Sequence, residues 1–129
     1  MIFIDSSFLI AYFNKNDQWH KKSLKVAKLI KDREKVISNL IISETVTKIG
    51  SQLKGKAGNI VYNHLIKNYD VVDGNKIRLN ESMKIYLKYD GVLSLADSLS
   101  VQIMKEQNII EIASFDEDFD KVNGIIRLH

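Results

Sequence analysis

The 129-residue chain contains no cysteine and no proline. The first absence excludes disulfides and thiolate metal sites, so any bound metal must be held by oxygen or imidazole ligands. Zinc-finger architectures go with it. The second, together with the lack of Ser/Gly-rich tracts or internal repeats, removes the usual punctuation between domains, and a single domain over residues 1–129 is expected. No apolar run is long enough to span a bilayer. The opening MIFIDSSFLIAYF is short, interrupted by Asp5 and without a basic leader, and reads as the first structural element of a cytoplasmic protein with no membrane partner. Neither a Walker A loop nor a G-x-G-x-x-G turn occurs to cradle a nucleotide. Strong charge imbalance is missing too: a net charge of +3 permits a polyanionic partner without requiring one.

What is present suffices for a compact core, with 45% hydrophobic and 27% charged residues. Short apolar runs predict strands at MIFI, KVIS, DVVD, IIEIAS and GIIRL. Helical periodicity covers SSFLIAYFN, WHKKSLKVAKLIKD, the segment carrying Ile42, Val46, Ile49 and Leu53, NIVYNHLIKN, ESMKIYLKYD and LADSLSVQIMKEQ, with GKAGN as a break. In the second helix Trp19, Val26, Leu29 and Ile30 form the apolar side against Lys21, Lys25 and Lys28, and Trp19 is expected as a core or interface anchor. Strands alternating with helix-length segments imply parallel crossovers, hence an α/β sheet covered by helices on both faces. In such sheets ligands collect at the carboxyl ends of the strands.

Acids mark those ends. Asp5 follows MIFI and Asp116 follows IIEIAS by one residue, while Glu44 and Asp97 fall near the starts of helices. Convergence of four carboxylates would raise their pKa values and oppose folding unless a divalent cation reversed the sign of the interaction. Magnesium and manganese suit a few carboxylates plus a phosphate, and the chemistry that follows is metal-assisted hydrolysis of a phosphodiester. Each acid also has an ordinary structural use. Asp5 can cap a helix, Asp97 completes an S-x-x-D capping box with Ser94, and Glu44 can pair with Lys48 at i,i+4. Asp116, Glu117, Asp118 and Asp120 could form a solvated first helical turn. A calcium loop starting at Asp116 fails, because Lys121 and Arg127 stand where glycine and glutamate are needed.

The segments IFIDSSFLIAYF, NDQWHKKSLKVAKLI, ISNLIISETVTKI, LSLADSLSVQIMKEQ and ASFDEDFDKVNGIIRL, taken in this order, resemble the PIN-domain ribonuclease family, in particular its small VapC-type toxins. The resemblance implies a three-layer α/β/α fold with a mostly parallel central sheet. It implies a magnesium- or manganese-dependent endoribonuclease, an RNA substrate, an antitoxin protein as partner and a homodimer. It assigns the acidic positions to Asp5, Glu44, Asp97 and Asp116, an auxiliary ligand to Asp118, and supporting hydroxyls to Ser6 and Ser114.

Two other readings stand beside the toxin. One keeps the fold but gives it a processing role on ribosomal or transfer RNA; the other is a non-catalytic partner-binding domain whose acids are only caps. On this sequence Phe115 and Phe119 anchor the acidic turn on the core, and Glu117 and Asp120 face water or basic groups. The Lys21, Lys22, Lys25, Lys28 and Lys31 series, and Lys54 and Lys56 beside a flexible GKAG, are the candidate phosphate contacts.

Overall fold

In the computed structural model, which describes residues 1–129, β1 (Ile2–Ile4) leads through α1 (Ser6–Phe13) and α2 (His20–Leu29) to β2 (Lys35–Ser38). From there α3 (Asn39–Leu53) and α4 (Gly55–Asn68) lead to β3 (Asp70–Val72), and α5 (Lys76–Lys88) and α6 (Leu95–Gln107) to β4 (Glu111–Ala113). A 3₁₀ turn (Glu117–Lys121) then connects to β5 (Ile126–Leu128).

The sheet has the order β3-β2-β1-β4-β5, and every strand pair is parallel. The chain steps outward from β1 to β3, then returns past β1 to lay down β4 and β5. Because strand crossovers are right-handed, that reversal puts α1–α4 on one face of the sheet and α5–α6 on the other. Packing agrees: α3 lies on α4 and α1, α1 on α2, and α5 on α6. Ile2, Phe3 and Ile4 are all fully buried, as a central strand covered on both sides requires. They belong to one apolar cluster of 25 buried residues.

Two local expectations change. Leu29 was grouped with Val26 and Ile30, but it is 76% exposed while those two are buried. Consecutive helical residues point about 100° apart, so once Ser23, Val26 and Ile30 face the core, Leu29 is turned toward solvent. The break expected at GKAGN narrows to Lys54 alone, since Gly55–Gly58 belong to α4 and are not a flexible loop. Close helix packing explains this. A side chain at Gly58 would put its Cβ 3.2 Å from the Val46 carbonyl oxygen and 3.4 Å from the Gly50 Cα, so the glycines let α4 lie tightly on α3 and hold the segment helical.

Lys54 ends α3 and starts α4 with φ 79° and ψ 166°, a region that glycine alone occupies without strain. Lys54→Gly should therefore stabilise the protein by about 1 kcal/mol, read as a raised urea midpoint at unchanged slope. A lowered midpoint would mean that the lysine side chain contributes more than its backbone costs.

Candidate active site

Strand register assembles the site. Phe3 pairs with Ile112 and Ile4 with Ala113, so Asp5 and Ser114 leave the sheet side by side, and the Asp5 N–H donates to the Ala113 carbonyl at 3.0 Å. The β1–β4 boundary is where the winding reverses, the position at which open parallel sheets form their crevice. On the other flank β1 pairs with β2, which delivers α3 and Glu44; α6 brings Asp97 in its first turn.

Asp5 is 2% exposed. Although it stands at the N-cap of α1, its side chain makes no capping bond. Its Oδ2 instead accepts from the hydroxyls of Ser7 at 2.6 Å and Ser114 at 2.7 Å. Those hydroxyls in turn accept backbone N–H groups, Ser7 from Phe115 and Ser114 from Asp116, each at 3.0 Å. Asp5 Oδ1 is buried and has no hydrogen-bond partner at all.

The other acids combine structural bonds with exposure to this centre. Glu44 accepts from the Ser6 hydroxyl at 3.1 Å; the expected i,i+4 bridge to Lys48 does not form. Asp97 completes the capping box with Ser94, its Oδ2 accepting the Ser94 N–H at 3.3 Å. Asp116 caps the 3₁₀ turn through Oδ1, which accepts the Asp118 N–H at 2.9 Å. Capping and convergence are thus not alternatives here. Asp118 is turned to Lys121 at 2.9 Å, whereas Glu117 and Asp120 are exposed, Asp120 paired with Arg127.

Electrostatics show which acids sense one another. Burial raises the pKa of Asp5, and the charge of Asp116 raises it further, against the opposing serine hydroxyls. Glu44 is raised by burial and then by Asp5. Asp97 is pushed up to about 7, first by burial and then by the charge of Asp5, with Asp116 adding to it. Asp5, Glu44, Asp97 and Asp116 therefore surround one region. As they stand, no three of them are arranged to ligate a single ion, the spacing that mutual repulsion favours without a counter-charge. The donor set nonetheless suits a hard divalent cation: it is all carboxylate oxygen, and Asp5 Oδ1 is a buried acceptor without a hydrogen-bond partner.

Two contributors have no signal in the sequence. Ser7, the second of two adjacent serines, makes the shortest bond to Asp5. Arg127, whose side chain is 8% exposed, grips Asp120 through two bonds of 2.9 Å and donates to the Ser114 carbonyl at 3.2 Å. With fully buried Phe119 it fixes the turn that carries Asp116. Phe115 is half-buried and packs against the core as expected, stacked between Phe8 and Trp19, whereas Trp19 is 36% exposed and is not a core residue.

The centre opens into a cleft of about 560 Å³ lined by Ser7, Trp19, Lys48, Phe115, Asp116 and Asp118. A second groove of about 490 Å³ runs past Ser6, Glu44 and Ser51. Ile10 and Lys48 border both, so an extended ligand can pass from one to the other beside a lysine.

An all-parallel sheet with a buried carboxylate, Asp5, at its switch point defines an α/β protein organised around an acidic crevice. The chain belongs to the PIN domain family, whose model matches residues 2–125. Among solved structures it is similar to VapC20 of Mycobacterium tuberculosis, described as a sarcin-ricin loop cleaving toxin, with a TM-score of 0.86, 22% identity and 95% of each chain covered. It is also similar to a toxin–antitoxin complex from Klebsiella pneumoniae, with a TM-score of 0.76, 12% identity and 100% and 98% of the two chains covered. VapBC2 of Rickettsia felis, bound to a DNA fragment from its promoter, gives a TM-score of 0.71 at 13% identity over 98% and 97%. These likenesses establish the three-layer fold. No curated protein sequence matches the chain.

Asp97 titrates near 7 when folded and near 3.8 otherwise, so the folded state holds a proton that the unfolded chain has lost between those values. Its contribution to stability is complete at low pH and disappears as pH rises through about 7; Asp5 and Glu44, also raised, act in the same sense. Without divalent ions, the melting temperature should fall between roughly pH 5 and pH 7, and Asp97→Asn should flatten the fall and stabilise the protein at pH 7. Manganese should stabilise the unsubstituted chain more at pH 7 than at pH 5. Equal melting temperatures across this range for both proteins would show that the carboxylates are not coupled.

Proposed function

We propose that this chain is a metal-dependent endoribonuclease, the toxin of a toxin–antitoxin pair, acting in the cytoplasm as a single nuclease domain and a homodimer. The observation that carries the reading is Asp5 Oδ1, a buried oxygen without a partner among three further acids of the same crevice. Asp5, Glu44, Asp97 and Asp116 would hold the magnesium or manganese ion, with Asp118 as an auxiliary ligand. A bound divalent cation supplies charge stabilisation on phosphate oxygens and a water that ionises near neutral pH.

The protein's own groups set up the reaction around that centre. Ser7 and Ser114 fix Asp5 in one rotamer by donating to the same oxygen, leaving the other without a hydrogen-bond partner. Ser6 does the corresponding work for Glu44. Lys48, between the two grooves, meets the phosphate backbone. Membership in the PIN family and the fold shared with named toxins support the nuclease and antitoxin assignments. Exposed Ile77 and Leu87 on α5 supply apolar surface for a partner. No helix is long and apolar enough to cross a membrane.

Purified protein should cut RNA in magnesium or manganese, and an RNA carrying the sarcin-ricin loop is the first substrate to try. Chelation should abolish the activity, and Asp97→Asn should lower kcat at least a hundredfold while leaving the fold intact. Cleavage that persists through both changes would end the proposal.

A further inference from the structure

Beside the acids, the cleft has a wall that metal chemistry does not use. The Trp19 ring stacks on Phe115 with centroids 5.7 Å apart and planes at 13°, and Phe115 stacks on buried Phe8 at 6.1 Å and 18°. This aromatic series runs outward from the core and ends at the cleft, which Trp19 and Phe115 line together with Asp116. Burial does not account for Trp19, which keeps 36% of its surface in solvent.

Its position is held firmly. The Trp19 N–H donates to Asp17 Oδ1 at 2.8 Å, and the Asp17 N–H to the Asn14 carbonyl at 2.9 Å. Buried Asn14 donates to Gln52 at 2.9 Å, and the His20 ring bonds the Ala11 carbonyl at 2.7 Å. The loop between α1 and α2 thus fixes the backbone from which the indole projects, and the ring itself is held by stacking on Phe115. Lys22 places its ammonium over the indole ring, 4.9 Å from the centroid, and Lys48 borders the same cleft, as do Asp17, Glu117 and Asp118.

We propose that Trp19, backed by Phe115, is a stacking platform for one unpaired nucleobase of the RNA, next to the phosphate held at the acidic centre. The assignment of RNA as the ligand rests on the nuclease reading above. A flat aromatic surface takes any base by its π-face; the flexible Lys22 side chain, whose ammonium lies over the ring, swings to a flanking phosphate as the base enters, and Lys48 takes the other. Continuity with the acidic crevice favours a nucleic acid over a protein partner at this wall, which Lys48 shares with Asp17 and Glu117. Stacking on Trp19 selects strands whose bases are already splayed, so single-stranded segments and loops are cut in preference to duplex.

Trp19 is the only tryptophan in the chain, so its fluorescence reports this one ring. Asp97→Asn protein, which keeps the wall and does not consume the ligand, is titrated with a single-stranded oligoribonucleotide of about ten nucleotides and with an abasic strand of equal length. Saturable quenching by the first and not by the second is expected. In cleavage assays Trp19→Ala should raise KM roughly 5- to 150-fold with kcat within about twofold, and Trp19→Phe should recover most of the loss. Unaltered manganese stabilisation of Trp19→Ala checks that Asp116 has not moved.

Equal quenching by the abasic strand, no quenching, or an unchanged KM for Trp19→Ala would overturn the inference. So would emission that changes with protein concentration alone, which would mean that a second copy covers the ring. Metal-dependent cleavage with a silent Trp19 sinks the platform and spares the nuclease; base-dependent quenching without cleavage does the opposite.

Discussion

One carboxylate organises this protein. Asp5 ends the central strand, is almost fully buried, and has one oxygen saturated by two serine hydroxyls while the other has no partner. Burying a charge is costly unless it is paired, and three neighbouring acids make the cost greater. The surroundings are arranged around that cost. Ser7 and Ser114 each pass a backbone N–H of the β4 exit onto the Asp5 side chain, so the exit from β4 is tied to the exit from β1. Asp97 and Asp116 each engage one oxygen in capping and remain close enough to feel Asp5.

The fold was largely legible in the sequence because its signals are local. Short apolar runs such as MIFI and KVIS alternate with segments of helical period, and this pattern admits little besides a parallel sheet with helices on both faces. The four acids were legible for the same reason, since each stands within a few residues of a strand or helix end. Details that depend on packing were not. Nothing near Leu29 indicates that Val26 and Ile30 would take the core face without it. GKAGN has the composition of a break, and it becomes helix only because α3 supplies a surface that glycine can approach.

The contributors missed were those whose role lies in a distant partner. Arg127 stands 7 residues from Asp120 and 13 from Ser114, and in sequence it serves only to disqualify a calcium loop. In the fold its guanidinium joins the acidic turn to the last strand. The concentration of acid in ASFDEDFDKV is thereby resolved into separate tasks. Asp116 faces the crevice, Asp118 pairs with Lys121, Asp120 with Arg127, and Glu117 is left to solvent. A basic chain tolerates such a run because two of its acids are neutralised, one by Lys121 of the turn itself and one by Arg127 of the last strand.

The bond between Ser114 and Asp5 spans 109 positions of sequence. During synthesis the first strand and most of the helices leave the ribosome well before the residues that complete the pocket. Until β4 pairs with β1, Asp5 lacks one of its two hydroxyl donors and Asp116 has no fixed place. A nascent chain therefore carries no finished centre until Ser114 has emerged and β4 has paired with β1.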